Sequence, residues 1–184
     1  QLAKEKKRFV IAELEEGAVS RKYSDAVQWL VDAGVAYFSF NAGALAMPFS
    51  MTEKRNMYKL FCHDTGLLCC QLLSGITLEV LNGNISINEG ALTENFVAAE
   101  LSKHGYPLHY YDKKSRQELD FVFESSTGIK IIEVKSGKNY KTHASINTAI
   151  SECDLISSAV VLSQGNVERG ESVIYMPLYM AMFM

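Results

Sequence analysis

Two short strand-like segments joined by a turn constrain this chain most, because each carries acidic residues inside an apolar run. The segments are 118–122 (ELDFV) and 131–135 (IIEVK), and the loop 125–128 between them (SSTG) has the composition of a tight hairpin. A register that pairs Phe123 with Lys130 places Asp120 directly opposite Glu133, with Cβ atoms about 5 Å apart. Two carboxylates so placed repel each other and lose hydration, so they need a cation or a proton.

The residues around this carboxylate pair predict a metal site. Asp120 and Glu133 are suited to bind one divalent cation, Mg²⁺ or Mn²⁺. Lys135 projects from the same strand face as Glu133, where it would orient or deprotonate a water and stabilise charge developing on a phosphate. Glu94 falls on the apolar side of a predicted helix, with Val97, and is expected to point at the same site. The predicted catalytic residues are Glu94, Asp120, Glu133 and Lys135, of which the three acids would be metal ligands.

Two other interpretations of these acids stay open. Asp120, Glu133 and Lys135 could form a surface salt bridge on a strand pair without any chemistry. Glu118 is interpreted as an exposed strand acid or as a helper to Asp120.

The charge around the hairpin favours a polyanionic substrate. Residues 113–141 contain seven Lys and Arg against four Asp and Glu, whereas the whole chain has 18 basic and 21 acidic residues and a net charge of -3. That overall charge argues against a dedicated, high-affinity nucleic-acid coat protein but leaves room for a local basic cleft. The candidate nucleic-acid contacts are Lys113, Lys114, Arg116, Lys138 and Lys141.

Hydrophobic periodicity predicts an α/β (α+β) chain in two parts, divided near residue 65. In residues 1–65, two helices are predicted at 8–16 and 24–34 and two strands at 35–40 and 58–61. This combination is typical of a winged-helix-like unit. Residues 66–184 combine helices with a mixed sheet. The predicted helices there are 64–73, a segment from Gly90 through Leu101, and 144–153, and the predicted strands are 108–111, 119–123, 129–134, 158–162 and 173–176.

The motif residues resemble those of the PD-(D/E)XK nuclease superfamily. That superfamily has an acidic residue on a helix, then Asp, then Glu-x-Lys on successive strands, which Glu94, Asp120 and Glu133-Val134-Lys135 match, with Leu119 where the motif has its proline. The predicted order of helix, three strands, helix and strand resembles the core of the same superfamily. The resemblance implies a restriction-endonuclease-like sheet in residues 66–184.

Longer segments resemble the C-terminal half of a prokaryotic AAA-type ATPase family, in which a P-loop domain precedes a region of undefined function. These segments are 1–9, 23–34, 59–68, 94–97, 118–121, 132–137 and 176–179. The chain contains no G-x-x-x-x-G-K-[ST] motif, so ATP is expected to bind only through an N-terminal ATPase domain. The first residue is Gln, and we expect the chain to be part of a longer protein.

Three hypotheses for the function follow. The first is hydrolysis of DNA phosphodiesters with Mg²⁺ or Mn²⁺, which would make the chain a deoxyribonuclease. The second is a non-catalytic module that binds nucleic acid or protein and regulates its own ATPase domain. The third is a homo-oligomerisation platform that uses the apolar tail 175–184. Binding of a divalent metal discriminates the first hypothesis from the second.

The remaining patterns give weaker expectations. The most apolar stretch, 173–184, is too short to span a bilayer, so a cytoplasmic protein without a membrane partner is expected. Trp29 is expected in the core. The four cysteines form no C-x-x-C pair, which indicates reduced and mostly buried thiols.

Overall fold

The eight strands found in the described residues belong to one mixed sheet. The computed structural model describes residues 20–72, 89–113 and 117–184. The elements, in chain order, are α1 (Ser20–Asp32), β1 (Ala36–Asn41), β2 (Lys54–Cys62), α2 (Thr65–Leu72), α3 (Glu89–Lys103), β3 (His109–Asp112), β4 (Glu118–Ser125), β5 (Gly128–Lys135), α4 (Ala144–Glu152), β6 (Ile156–Ser163), β7 (Glu168–Arg169) and β8 (Ile174–Pro177). Short 3₁₀ helices cover Phe49–Met51 and Leu178–Phe183.

The strand order across the sheet is β2-β1-β3-β4-β5-β6-β8-β7. The hairpin partners β1–β2, β3–β4, β4–β5 and β7–β8 are antiparallel, whereas β1–β3, β5–β6 and β6–β8 are parallel. A parallel pair needs a crossover connection, which α4 supplies between β5 and β6. The predicted α/β class, a mixed sheet with flanking helices, is therefore confirmed.

Most elements lie where periodicity placed them. The predicted order of helix, three strands, helix and strand is the order of α3, β3, β4, β5, α4 and β6. The strand predicted at 58–61 is the end of the longer β2. The helix predicted at 24–34 corresponds to α1, Ser20–Asp32. The helix predicted at 8–16 lies outside the described residues.

The sheet runs across the predicted boundary near residue 65. β1 pairs with β3 in parallel, with Phe40 opposite His109 and Asn41 opposite Tyr110. Strands from both predicted parts thus share backbone hydrogen bonds. The division into residues 1–65 and 66–184, and the winged-helix-like and restriction-endonuclease-like descriptions, stay predictions.

Hydrophobic cores lie on both faces of the sheet because side chains along β5 alternate between the faces. Ile129 and Ile131 pack in one cluster, which includes Ile146 of α4. Ile132 packs in the other, which includes Leu101 of α3. The two helices thereby cover opposite faces of the central strands, and α3 reaches the β4–β5 hairpin from one side.

Two predictions of burial are wrong. Trp29 is 70% exposed on α1, whereas Val27 of that helix is buried and packs with Ala36 and Leu60. The four thiols are free, and Cys62 alone among them is buried. Hydrophobic periodicity indicates which side of α1 is apolar, but it does not indicate how much of the helix surface the sheet covers.

The apolar C-terminal tail divides between core and surface. Ala181 is fully buried against the α3 side of the sheet, while Tyr179 and Phe183 are mostly exposed. The hypothesis of an oligomer formed through this tail stays a prediction. In the described ranges, no helix combines the length and the apolar character needed to cross a membrane.

Candidate functional site

The β4–β5 hairpin has the predicted register. Phe123 pairs with Lys130 and Phe121 with Ile132, so Asp120 and Glu133 occupy the next position along the two strands. Both carboxylates are buried. The Val134 N–H donates to Asp120 Oδ2 at 3.0 Å, and the Asp120 N–H donates to Glu133 Oε2 at 3.4 Å. Each acid is therefore oriented by a main-chain amide of the hairpin, and the second contact is long for a hydrogen bond.

A β-bulge lies at Asp120. Tyr111 pairs with Leu119 and His109 with Val122, so β3 has one residue between these pairs where β4 has two, Asp120 and Phe121. A bulge of this kind bends its strand and changes the direction of the side chains within it. The bulge therefore helps to set the direction of the Asp120 carboxylate.

Lys135 is part-exposed and contacts the buried Glu133. Lys135 Nζ donates to Glu133 Oε1 at 2.8 Å, and the Lys135 side chain is 31% exposed. Burial and the neighbouring Asp120 carboxylate raise the pKa of Glu133 to about 7, although Lys135 acts in the opposite direction. Glu133 thus ionises with difficulty in the metal-free protein, as expected for a carboxyl group that would gain from a further cation.

Lys59 of β2 is a functional candidate that the sequence analysis missed. Its side chain is buried, and its Nζ lies 2.7 Å from Glu94 Oε1, 3.1 Å from Glu118 Oε1 and 3.9 Å from Asp120 Oδ1. The same atom is 5.2 Å from the centre of the Tyr110 ring. Burial lowers the pKa of Lys59, but the three acids raise it more, so the net shift is upward. Lys59 is therefore a permanent cation at neutral pH.

A buried amide holds α3 against β2 beside this cation. Asn95 Oδ1 accepts from the Cys62 N–H at 2.7 Å, and Asn95 Nδ2 donates to the Cys62 carbonyl at 3.0 Å. These two bonds lock the position of Glu94 on α3 relative to Lys59 on β2. The sequence did contain a signal for Lys59, because a charged residue inside the apolar end of a predicted strand is unusual. The same reasoning identified Glu94 on the apolar side of its helix.

The structure brings the four predicted catalytic residues to one region in two groups. Asp120, Glu133 and Lys135 lie together on the hairpin, and Glu94 joins them through Lys59. Glu118, interpreted as an exposed acid or a helper, takes part in the Lys59 cluster. The role of Glu94 as a metal ligand stays a prediction.

The predicted nucleic-acid contacts are surface residues where they are described. Lys113 pairs with Glu152 at 3.3 Å and Lys141 with Glu168 at 2.8 Å, both on the surface. Lys138 is exposed beyond the end of β5. The two remaining candidates, Lys114 and Arg116, lie outside the described residues.

The donor set suits a metal ion held by two carboxylates. Within residues 20–72, 89–113 and 117–184, no three His, Cys, Asp or Glu side chains form a group that could hold a metal ion. Glu94 and Glu118 contact the Lys59 ammonium, and Asp120 and Glu133 adjoin each other across the hairpin. Mg²⁺ is commonly bound through one or two carboxylates, with waters and substrate phosphates as its other ligands. Asp120 and Glu133 therefore fit one such ion.

Comparison with known proteins identifies the family. No curated protein and no solved structure matched the chain. A family model described as "Domain of unknown function (DUF4143)" matches residues 89–180, which are 92 of the 184 residues. This domain is known to follow AAA ATPase domains. The matched range contains Glu94, Asp120, Glu133 and Lys135, and it begins after Lys59. With half of its length matched by that model, the chain belongs to the DUF4143 family.

Proposed function

We propose that this chain is the C-terminal part of an AAA-type ATPase and hydrolyses DNA phosphodiesters with a divalent metal ion. The observation that carries the proposal is the Asp120–Glu133 pair, two buried carboxylates adjoining across a hairpin with the Lys135 ammonium 2.8 Å from one of them. A restriction-endonuclease-like domain preceded by a winged-helix-like unit is the fold that accompanies this proposal.

Asp120 and Glu133 would hold Mg²⁺ or Mn²⁺. Such an ion polarises a phosphoryl oxygen and lowers the pKa of water. The Val134 amide keeps the Asp120 carboxylate in position, and Lys135 keeps that of Glu133 in position. Both acids are thus oriented before a substrate arrives, which reduces the reorganisation needed during the reaction.

Lys135 is the residue of the site best placed to act on the substrate. Its side chain is part-exposed, so the ammonium can contact a phosphate or a water while it remains beside Glu133. There it would orient the attacking water and stabilise negative charge on the phosphate. The water loses a proton as its oxygen bonds to phosphorus, the bond from phosphorus to the leaving oxygen breaks, and the leaving oxygen takes up a proton.

DNA is the proposed substrate because the hairpin is flanked by basic residues. Lys113, Lys138 and Lys141 are exposed. Lys113 and Lys141 form surface ion pairs, which contacts with a phosphate backbone could replace at a small cost in free energy. ATP would act through the N-terminal ATPase domain, the proposed partner in the full-length protein.

A second candidate function is a non-catalytic module that binds nucleic acid or protein and regulates the ATPase domain. It is favoured by the ion pairs of Lys59 with Glu94 and Glu118, because an acidic cluster that carries its own cation can serve structure alone. Under this function the hairpin acids would bind no metal.

Calorimetric titration of Mn²⁺ separates the two functions. The wild type should bind Mn²⁺ and Asp120→Asn should not, because the variant keeps the shape of the side chain and removes its charge. Asp154→Asn changes an exposed acid and is the matched control, which should bind as the wild type does.

Cleavage of supercoiled, linear and single-stranded DNA should follow the same pattern, with Mg²⁺ or Mn²⁺ required and EDTA inhibitory. The circular dichroism spectrum of Asp120→Asn reports whether its fold is retained. Undiminished cleavage by Asp120→Asn would contradict the nuclease proposal, and absence of Mn²⁺ binding to the wild type would favour the regulatory module.

A further inference from the structure

The loop 136–143 connects the end of β5 to α4 and carries two exposed lysines, Lys138 and Lys141. It begins directly after Lys135 of the hairpin. A chain advances at most about 3.6 Å per residue, so the Cα of Lys138 lies within about 11 Å of that of Lys135. The conformation of this loop therefore determines where its two ammonium groups lie relative to the hairpin.

Tyr175 of β8 contacts the loop at two residues. Its hydroxyl oxygen lies 2.7 Å from His143 Nε2, at the end of the loop. Its ring packs edge-on against the Tyr140 ring, with the ring centres 5.8 Å apart and the ring planes at 70°. Tyr175 is itself buried in the core cluster that includes Ile146 of α4. The second half of the loop is thus attached to the core of the sheet.

Gly165 provides the space in which the Tyr140 ring lies. A Cβ atom at Gly165, which follows the end of β6, would lie 2.7 Å from both Cζ and the hydroxyl oxygen of Tyr140. The φ of Gly165 is outside the left-handed region, so its backbone does not itself require glycine. The absence of a side chain at Gly165 therefore serves the ring contact, and Gly165→Ala should displace the ring without straining the backbone.

The attached loop presents the Lys141 ammonium at a defined place. Lys141 Nζ lies 2.8 Å from Glu168 Oε1 and 5.8 Å from the centre of the Tyr175 ring. The Lys141 side chain is nevertheless 57% exposed, so a phosphate can reach its ammonium. The same aromatic ring thus contacts the side chains of Tyr140, Lys141 and His143.

We propose that Tyr175 is a positioning residue, which holds the loop 136–143 so that Lys141 contacts the phosphate backbone of DNA beside the hairpin. Tyr140 and Gly165 complete the attachment. A loop that is ordered before the DNA arrives loses less conformational freedom on binding, so the complex is tighter. This inference rests on the proposed DNA substrate, and it requires neither metal binding nor cleavage.

A double-mutant cycle tests the role of the loop, with binding of fluorescently labelled duplex DNA measured by anisotropy in EDTA. Gly165→Ala should weaken binding about fivefold. It should also reduce the slope of log K against log salt concentration by about 0.9, as expected for one lost phosphate contact. In a Lys141→Met background, Gly165→Ala should change neither quantity, because the lysine that the loop positions is gone. A general structural defect would weaken binding equally in both backgrounds.

Tyr175→Phe is the second variant, because it keeps the ring and removes only the hydroxyl that contacts His143. It should weaken binding in the wild-type background and have no effect in the Lys141→Met background. Tyr106→Phe removes a hydroxyl from another part-buried tyrosine, which packs edge-on against Phe123, and should leave binding unchanged.

The outcomes separate this inference from the proposed function. Undiminished DNA binding by folded Gly165→Ala and Tyr175→Phe, or equal weakening in the two backgrounds, would overturn the positioning role and leave the proposed substrate standing. Absence of DNA binding by the wild type would overturn both. Circular dichroism reports whether each variant is folded, and Mn²⁺ titration of Gly165→Ala should give the wild-type result because the hairpin acids are unchanged.

Discussion

Replacing Glu133 with Gln should stabilise the metal-free protein at pH 8. Gln has the shape of Glu and can still accept the Asp120 N–H, but it carries no charge. Burial and the Asp120 carboxylate raise the pKa of Glu133 from 4.5 to about 7 in the folded protein. At pH 8 the ionised Glu133 therefore lowers the free energy of unfolding of the wild type, because the folded environment favours the protonated form.

The size of the effect follows from the two pKa values. Between pH 4.5 and 7 the unfolded chain loses this proton before the folded protein does, so the free energy of unfolding falls as the pH rises. Above pH 7 the full cost applies, about 3 kcal/mol for a shift from 4.5 to about 7. This shift already includes the opposing attraction of part-exposed Lys135, so the lost ion pair is not subtracted again. Glu133→Gln should therefore gain about 3 kcal/mol at pH 8 and less than about 1 kcal/mol at pH 5.

Urea unfolding in EDTA at pH 5 and pH 8, followed by circular dichroism, measures both gains. Exposed Glu171 provides the matched control, and Glu171→Gln should change the free energy of unfolding by less than about 0.5 kcal/mol at either pH. The reasoning would be refuted if Glu133→Gln were equally stabilised at pH 5 and pH 8, or destabilised at pH 8.

Two further predictions concern the elements that support the site. Asn95→Ala should lower the free energy of unfolding by about 2–4 kcal/mol, measured with urea, because it removes the side-chain partner of the buried Cys62 N–H and carbonyl; a loss below about 1 kcal/mol would contradict this. Gly128→Ala should lower the melting temperature more than Gly105→Ala, since both have positive φ but only a Cβ at 128 would meet the Leu155 carbonyl oxygen, at 2.3 Å; equal losses would show that the contact is unimportant.

Local patterns were sufficient for the hairpin and for most elements. The period of two and the loop composition at 125–128 determined the register of β4 and β5, and with it the meeting of Asp120 and Glu133. The register of a hairpin depends on its own turn and on the alternation of its own side chains, so the local sequence is sufficient to specify it. The apolar side of α3 likewise indicated that Glu94 would be buried.

Only the tertiary structure decided which of these elements meet. Lys59 and Glu94 are 35 residues apart, and their contact depends on β2 and α3 packing together. The parallel pairing of β1 with β3 and the exposure of Trp29 likewise depend on how elements that are distant in sequence pack together. Periodicity specifies which side of an element is apolar, whereas the choice of partner follows from packing and backbone hydrogen bonding of the whole sheet. For this reason the sequence alone predicted a pair of carboxylates, and the fold added the buried cation beside them.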